Sequence, residues 1–124
     1  MIKLSFGVRR RDDIDPDEFH RYWRDEHGPL VRSFREALGI RRYVQLHRME
    51  TSFNDALRAS RDALEPFDGV AELWWDGLDA LAAGASSPEG IAASQALLED
   101  ERRFIDLTRS SIWLGEEVEI ISLT

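Results

Sequence analysis

Short runs in which apolar residues alternate with polar ones, or follow one another, mark four strands along the chain. The first strand places Ile2, Leu4, Phe6 and Val8 on one face, as a half-buried strand does. The four predicted strands cover residues 1–8, 40–47, 70–75 and 116–123. The third is apolar on both faces, so both sides of the sheet need cover.

Apolar residues at helical spacing predict a helix between the first two strands. Asp15 can cap its first turn, Glu18 completes a capping box, and Gly39 stops the helix. Pro29 cannot donate to the helical hydrogen-bond ladder, so we expect a kink or break just after His27.

Three further helices are expected. Asn54 is expected to cap a short one in the polar excursion before the third strand, and Asp76 another just after that strand. A longer helix should begin at Ser87 and run to about Ile105, with its charged centre, residues 99–103, largely solvated.

The order strand, helix, strand, strand, helix, strand predicts one α+β domain over residues 1–124. The economical topology is a split β-α-β arrangement, which is ferredoxin-like with an antiparallel sheet. Helices would cover one face of that sheet and leave the other bare. We therefore expect a second copy of the protein to cover the bare face, which makes a homodimer.

Composition narrows the classes of partner. The 124 residues carry a net charge of −8, which disfavours nucleic acids and anionic membrane surfaces. There are no cysteines, no apolar run long enough to span a membrane and no secretory signal pattern, so we expect a cytoplasmic protein. No HExxH or His-pair spacing indicates a metal site.

Several fragments together resemble the EthD family, over residues 1 to about 119. They are Met1-Ile2-Lys3-Leu4, Glu18-Phe19-His20-Arg21-Tyr22-Trp23, His27-Gly28-Pro29-Leu30, Arg42-Tyr43-Val44-Gln45, Phe67-Asp68-Gly69-Val70, Glu72-Leu73-Trp74 and Glu101-Arg102-Arg103-Phe104-Ile105-Asp106. The resemblance implies a ferredoxin-like domain that forms a dimeric α/β barrel. It also implies a pocket between sheet and helices for a small apolar or aromatic molecule.

The superfamily that this resemblance implies includes cofactor-free monooxygenases, lactone isomerases, polyketide cyclases and haem-binding enzymes, so fold alone does not fix the reaction. Our first hypothesis is an enzyme without a cofactor that acts on a small hydrophobic or aromatic, polyketide-like carbonyl compound. Proton transfer would lead to dehydration, isomerisation or cyclisation. The alternatives are a cofactor-free monooxygenase and a non-catalytic accessory protein that binds a hydrophobic metabolite in a degradation pathway.

Three residues are the candidate catalytic groups. His27 can take or give a proton near neutral pH; the alternative is a structural histidine whose ring bonds a backbone carbonyl. Tyr43 and His47 share a strand face with Gln45, and together they can polarise a carbonyl and move a proton. The alternative is that this face is a dimer seam or a sheet edge.

Five residues are expected to contact the substrate: Trp23, Gln45, Asp68, Glu72 and Trp74. Asp68 precedes a glycine and has a turn-forming alternative. Glu72 is a carboxylate within an apolar strand, so it needs either a raised pKa or a cationic partner. Arg41, Arg42 or an arginine of a second subunit could be that partner. Trp74 or its neighbour Trp75 would stack on a planar substrate, or fill core or interface.

Overall fold

A computed structural model describes residues 1–123 and contains a four-stranded antiparallel sheet with helices packed against one face. The strands are β1 (Ile2–Val8), β2 (Arg42–His47), β3 (Gly69–Trp75) and β4 (Ser111–Gly115), in the spatial order β2-β3-β1-β4. The helices are α1 (Pro16–Tyr22), α2 (Gly28–Ser33), α3 (Arg35–Leu38), α4 (Ser52–Arg61), α5 (Leu78–Ser86) and α6 (Pro88–Glu101). This order confirms the predicted ferredoxin-like topology.

The predicted interruption next to Pro29 takes the form of a wide turn, and the helix continues through the proline. Residues Trp23–His27 form a π-helical turn between α1 and α2, in which the Gly28 amide donates to the Trp23 carbonyl. An α-helical turn would press the Pro29 ring against the carbonyl four residues earlier, and the wider turn relieves that contact. The helical path is broken later, at Phe34, and ends at Gly39 in the left-handed conformation.

The predicted fourth strand was wrong in position. Residues 116–123 alternate like a strand, but the segment that pairs with β1 is Ser111–Gly115. The reason is geometric: α6 ends at Glu101, and Ile105 already bridges to Arg10 just beyond β1, so the chain enters the sheet at once. Only Lys3 to Gly7 of β1 pair with β4.

Two predicted helix caps were also wrong. Thr51, not Asn54, caps α4, because its hydroxyl accepts from the Phe53 amide, while the Asn54 side chain donates to the Met49 carbonyl. Asp76 does not cap α5, because its carboxylate lies 3.2 Å from the Arg41 guanidinium. The cap position is occupied by Gly77. Asp15 does cap α1, as predicted.

The two faces of the sheet differ in cover. The helix side carries two apolar clusters, built around Trp23 and Phe104 and around Val31 and Trp75. On the opposite face, here called the outer face, Trp74 is only 6% exposed because Lys3 and Arg42 lie over its ring. None of the helices in residues 1–123 is long and apolar enough to cross a membrane.

Candidate functional site

A buried histidine, a carboxylate and a tyrosine from three separate segments are linked by hydrogen bonds. His27 is 5% exposed, and its Nδ1 lies 2.7 Å from Oδ2 of Asp100, near the end of α6. The other Asp100 oxygen accepts a hydrogen bond from the Tyr22 hydroxyl at 2.5 Å. The ring of His27 also packs against Phe104, with centroids 5.1 Å apart.

These contacts define the protonation state of His27. Burial lowers its pKa below 6.5, although the hydrogen bond to Asp100 and the charge of that carboxylate act in the opposite direction. The ring is therefore neutral at pH 7. A carboxylate only accepts hydrogen bonds, so the hydrogen sits on Nδ1 and Nε2 keeps a lone pair. In residues 1–123 we find no hydrogen bond to Nε2.

The alternation predicted one face of β2 for Tyr43, Gln45 and His47, and in the structure that face meets the helices as a continuous polar row. Gln45 occupies its centre: its Nε2 lies 2.8 Å from the Trp23 carbonyl oxygen and 2.7 Å from the Tyr43 hydroxyl. Its Oε1 lies 2.8 Å from His47 Nε2, and His47 Nδ1 lies 2.7 Å from His20 Nδ1 on α1. The row thus runs from Tyr43 through Gln45 and His47 to His20.

The direction of each hydrogen bond in this row follows from its chemistry. The amide nitrogen of Gln45 donates at both of its contacts, so its oxygen accepts from His47 Nε2. Burial, with the nearby charge of His20, lowers the pKa of His47 to about 4, so that ring is neutral and its Nδ1 accepts from His20. The Tyr43 oxygen accepts from Gln45, which leaves its own hydrogen free to be donated elsewhere.

The Tyr43 hydroxyl keeps that hydrogen at neutral pH. Burial, chiefly, raises its pKa to about 12, and the negative charge of Glu101 acts in the same direction. In the described part of the chain the hydroxyl donates to no acceptor. Tyr43 is therefore a neutral donor whose hydrogen has no acceptor among the described residues, which is the arrangement that suits a carbonyl oxygen.

The row borders a cleft of about 480 Å³ between β2 and the helices α2 and α3 with the preceding π turn. Its lining residues are Arg24, Gly28, Val31, Arg32, Arg35, Ile40, Arg41, Arg42, Tyr43, Gln45 and His47. His27 is not one of the lining residues, although the next residue in the chain, Gly28, is. The volume is in the range of small-molecule sites.

The remaining residues predicted to contact substrate lie apart from this cleft. Glu72 and Trp74 are on the outer face, where Glu72 pairs with Lys3 at 3.0 Å rather than with an arginine. Asp68 accepts from the Arg10 amide at 2.7 Å and anchors the end of β1. Trp23 is buried beneath His47, with ring centroids 4.4 Å apart.

The expectation that the centre of the last helix is solvated was wrong for two of its residues. Asp100 holds His27, and Glu101 is largely buried, which together with the Asp100 charge raises its pKa to about 7. A run of charges on a helix does not reveal which members face inward. In residues 1–123 no group of three or more His, Asp and Glu side chains is arranged to hold a metal ion.

The arginines of the cleft also escaped the sequence interpretation, although their spacing carried a signal. Arg24, Gly28, Arg32 and Arg35 recur every three or four residues, so one face of the helical segment is cationic. The spacing of apolar residues alone does not reveal this arginine stripe.

Comparison with solved structures agrees with the fold. An ethyl tert-butyl ether D (EthD) family protein from Bacillus halodurans C-125 is 19% identical, with a TM-score of 0.63 over 95% of this chain and 99% of that one. An EthD-like protein from Ralstonia eutropha JMP134 is 17% identical, with a TM-score of 0.62 over 98% and 95%. A variant of SnoaB, a cofactor-independent oxygenase from Streptomyces nogalater, is 17% identical, with a TM-score of 0.50 over 98% and 93%.

The family is identified by comparison of the sequence with family models. No curated protein matches it. The EthD domain, in contrast, matches residues 11–108, which include the His27 and Asp100 pair and the whole polar row of β2. The chain therefore belongs to the EthD domain family.

Proposed function

We propose that this protein is an enzyme without a cofactor that acts on a small hydrophobic or aromatic carbonyl compound by proton transfer. The observation that carries the proposal is the hydrogen-bond row of β2. It fixes Tyr43 as a neutral donor whose hydrogen no described protein group accepts, at the wall of a cleft of about 480 Å³.

In the proposed reaction the substrate carbonyl oxygen accepts a hydrogen bond from Tyr43. His27 Nε2 removes a proton from the carbon next to that carbonyl, and the electron pair of the broken C–H bond moves onto the carbonyl oxygen as an enolate. Asp100, which holds His27 Nδ1–H, stabilises the imidazolium that forms. The proton then returns to a different carbon, or to a departing hydroxyl group that leaves as water.

The same proposal includes a homodimer that covers the outer face of the sheet. Leu46 is 56% exposed there, and Trp113 on β4 is 50% exposed on the same face. An exposed apolar surface on a sheet with helices on its other side favours burial against an identical sheet. A dimer would not enter the site chemistry directly, since Tyr43 and His27 lie on the helix side.

The experiment follows hydrogen exchange in D₂O. Aromatic and polycyclic ketones with hydrogens next to the carbonyl are incubated with the protein, and loss of those proton signals is followed by NMR. The wild-type protein should accelerate exchange, and His27→Gln and Tyr43→Phe should each slow it by about 10²-fold or more. The chain has three histidines and two tyrosines, all in these two networks, so circular dichroism of each variant supplies the folding control.

Two results would overturn the proposed reaction. Ketones that bind without faster exchange would identify a non-catalytic accessory protein that holds a hydrophobic metabolite. Oxygen uptake with an oxygenated product would identify a cofactor-free monooxygenase.

A further inference from the structure

The cleft is strongly cationic although the protein as a whole is acidic. The net charge of the chain is −8, yet five of the eleven lining residues are arginines and none is acidic. Like charges close together repel, and an anion bound between them would relieve that repulsion.

Three of these arginines already have partners. Arg24 lies 2.9 Å from Asp25, and Arg41 lies 3.2 Å from Asp76. The guanidinium of Arg42 stacks over the Trp74 ring on the outer face, 4.5 Å from its centroid, and so lies away from the cleft. These contacts satisfy the three cations without any ligand.

Arg32 and Arg35 differ from the other three. In residues 1–123 neither forms an ion pair, even though Glu36 follows Arg32 by four residues, a spacing at which helical ion pairs form readily. The two lie three residues apart, on either side of the break at Phe34, and both border the cleft. Both are exposed to solvent, and among the described residues they are the two cleft arginines that no ion pair or ring contact compensates.

Apolar and polar groups complete the same cleft. Val31 and Ile40 are buried side chains on its wall, and Tyr43 offers a hydrogen-bond donor on β2. An arginine fork binds a planar carboxylate through two parallel hydrogen bonds, and apolar walls favour a hydrocarbon or aromatic body over a fully hydrated inorganic anion.

We propose that the substrate carries a carboxylate, which Arg32 and Arg35 bind while the apolar body lies against Val31 and Ile40. The inference rests on the proposed function, because it places the reacting carbonyl of that same molecule at Tyr43. The substrate class is thus an aromatic or polycyclic keto acid rather than a neutral ketone.

Binding of 1-naphthoate, measured by calorimetry, tests the inference without any need for turnover. The matched probes are 1-naphthamide, which has the same shape without the charge, and inorganic phosphate. We expect 1-naphthoate to bind at least tenfold more tightly than either. Arg32→Gln and Arg35→Gln should each weaken 1-naphthoate about tenfold and leave 1-naphthamide unchanged. Arg61→Gln, on exposed α4, makes the same charge change away from the cleft and should have no effect.

Equal binding of 1-naphthoate and 1-naphthamide would overturn the inference, as would equal losses in Arg32→Gln, Arg35→Gln and Arg61→Gln. Phosphate that binds as tightly as 1-naphthoate would also overturn it, because the apolar walls would then contribute nothing. These readouts are separate from the proton-transfer test. Tyr43→Phe and His27→Gln can abolish exchange while carboxylate binding persists, and the reverse outcome is equally visible.

Discussion

His27 Nδ1 lies 2.7 Å from Asp100 Oδ2, although 73 residues separate the two in the chain. The π-helical turn before Pro29 and the last turn of α6 bring them together, and Tyr22 binds the second oxygen of the same carboxylate. A carboxylate in this position selects the tautomer of the imidazole and stabilises its protonated form. The pair therefore gives His27 the tautomer, with a free lone pair on Nε2, that the proposed base requires.

Removal of the Asp100 charge should lower the pKa of His27 further. Burial already lowers it, and the hydrogen bond that His27 Nδ1–H donates to Asp100 is the main opposing effect. In Asp100→Asn we expect His27 to titrate below its wild-type value by NMR, with a loss of about 1–3 kcal/mol in the free energy of unfolding at pH 7. Asp12→Asn, whose side chain is 88% exposed, is the control. An unchanged or higher His27 pKa in Asp100→Asn would contradict the assigned contact.

Glu101 should make the protein less stable as pH rises. Burial, and then the Asp100 charge, raises its folded-state pKa to about 7 from an ordinary value of 4.5. Between these values the folded protein binds more protons than the unfolded chain, so the free energy of unfolding falls as pH increases through that window. Glu101→Gln should match the wild type near pH 4 and exceed its stability by on the order of 2 kcal/mol at pH 8.

Urea denaturation at the two pH values measures this difference. Glu99→Gln, an exposed neighbour on α6, provides the matched control and should show no pH-dependent gain. If Glu101→Gln were no more stable than the wild type at pH 8, the Glu101 carboxylate would not be buried as described.

The proposed dimer predicts an effect of charge on the outer face. Leu46→Glu would place a carboxylate on the outer face of the edge strand β2, next to Val70 on β3, and burial of an unpaired charge in the proposed interface is costly. Native mass spectrometry should show the wild type as a dimer and Leu46→Glu as largely monomer, with the dimer weakened at least tenfold. Leu64→Glu, in a loop where the leucine is 89% exposed, should remain dimeric. A wild-type protein that is monomeric in this measurement would contradict the proposed homodimer.

Local pattern was sufficient for most of the elements and for the shared face of the β2 residues. Alternation placed Tyr43, Gln45 and His47 on one face of β2, and helical spacing from Trp23 placed His27 on the buried side of its helix; the structure turns that β2 face to the helices and buries His27. These predictions succeeded because period and burial are properties of one element. The position of β4 failed because residues 116–123 alternate as well as Ser111–Gly115 does, and pairing with β1 is a non-local choice.

The partners of the site were beyond such patterns. Asp100 and Glu101 belong to a charged run whose inward face depends on how α6 packs on the π turn, and His20 meets His47 across two elements. A sequence shows which side chains can accept or donate a proton, but pairing across 27 or 73 residues is set by tertiary packing.

The hydrogen-bond directions in the two networks are the central claim, and ¹⁵N NMR of histidine-labelled protein at pH 7 tests them most directly. Long-range ¹H–¹⁵N correlations report which ring nitrogen carries the hydrogen in each neutral histidine. We predict Nδ1–H for His27 and His20 and Nε2–H for His47. A His27 that carries its hydrogen on Nε2 would contradict the free base at that residue. A His47 that carries its hydrogen on Nδ1 would contradict the free hydroxyl hydrogen of Tyr43.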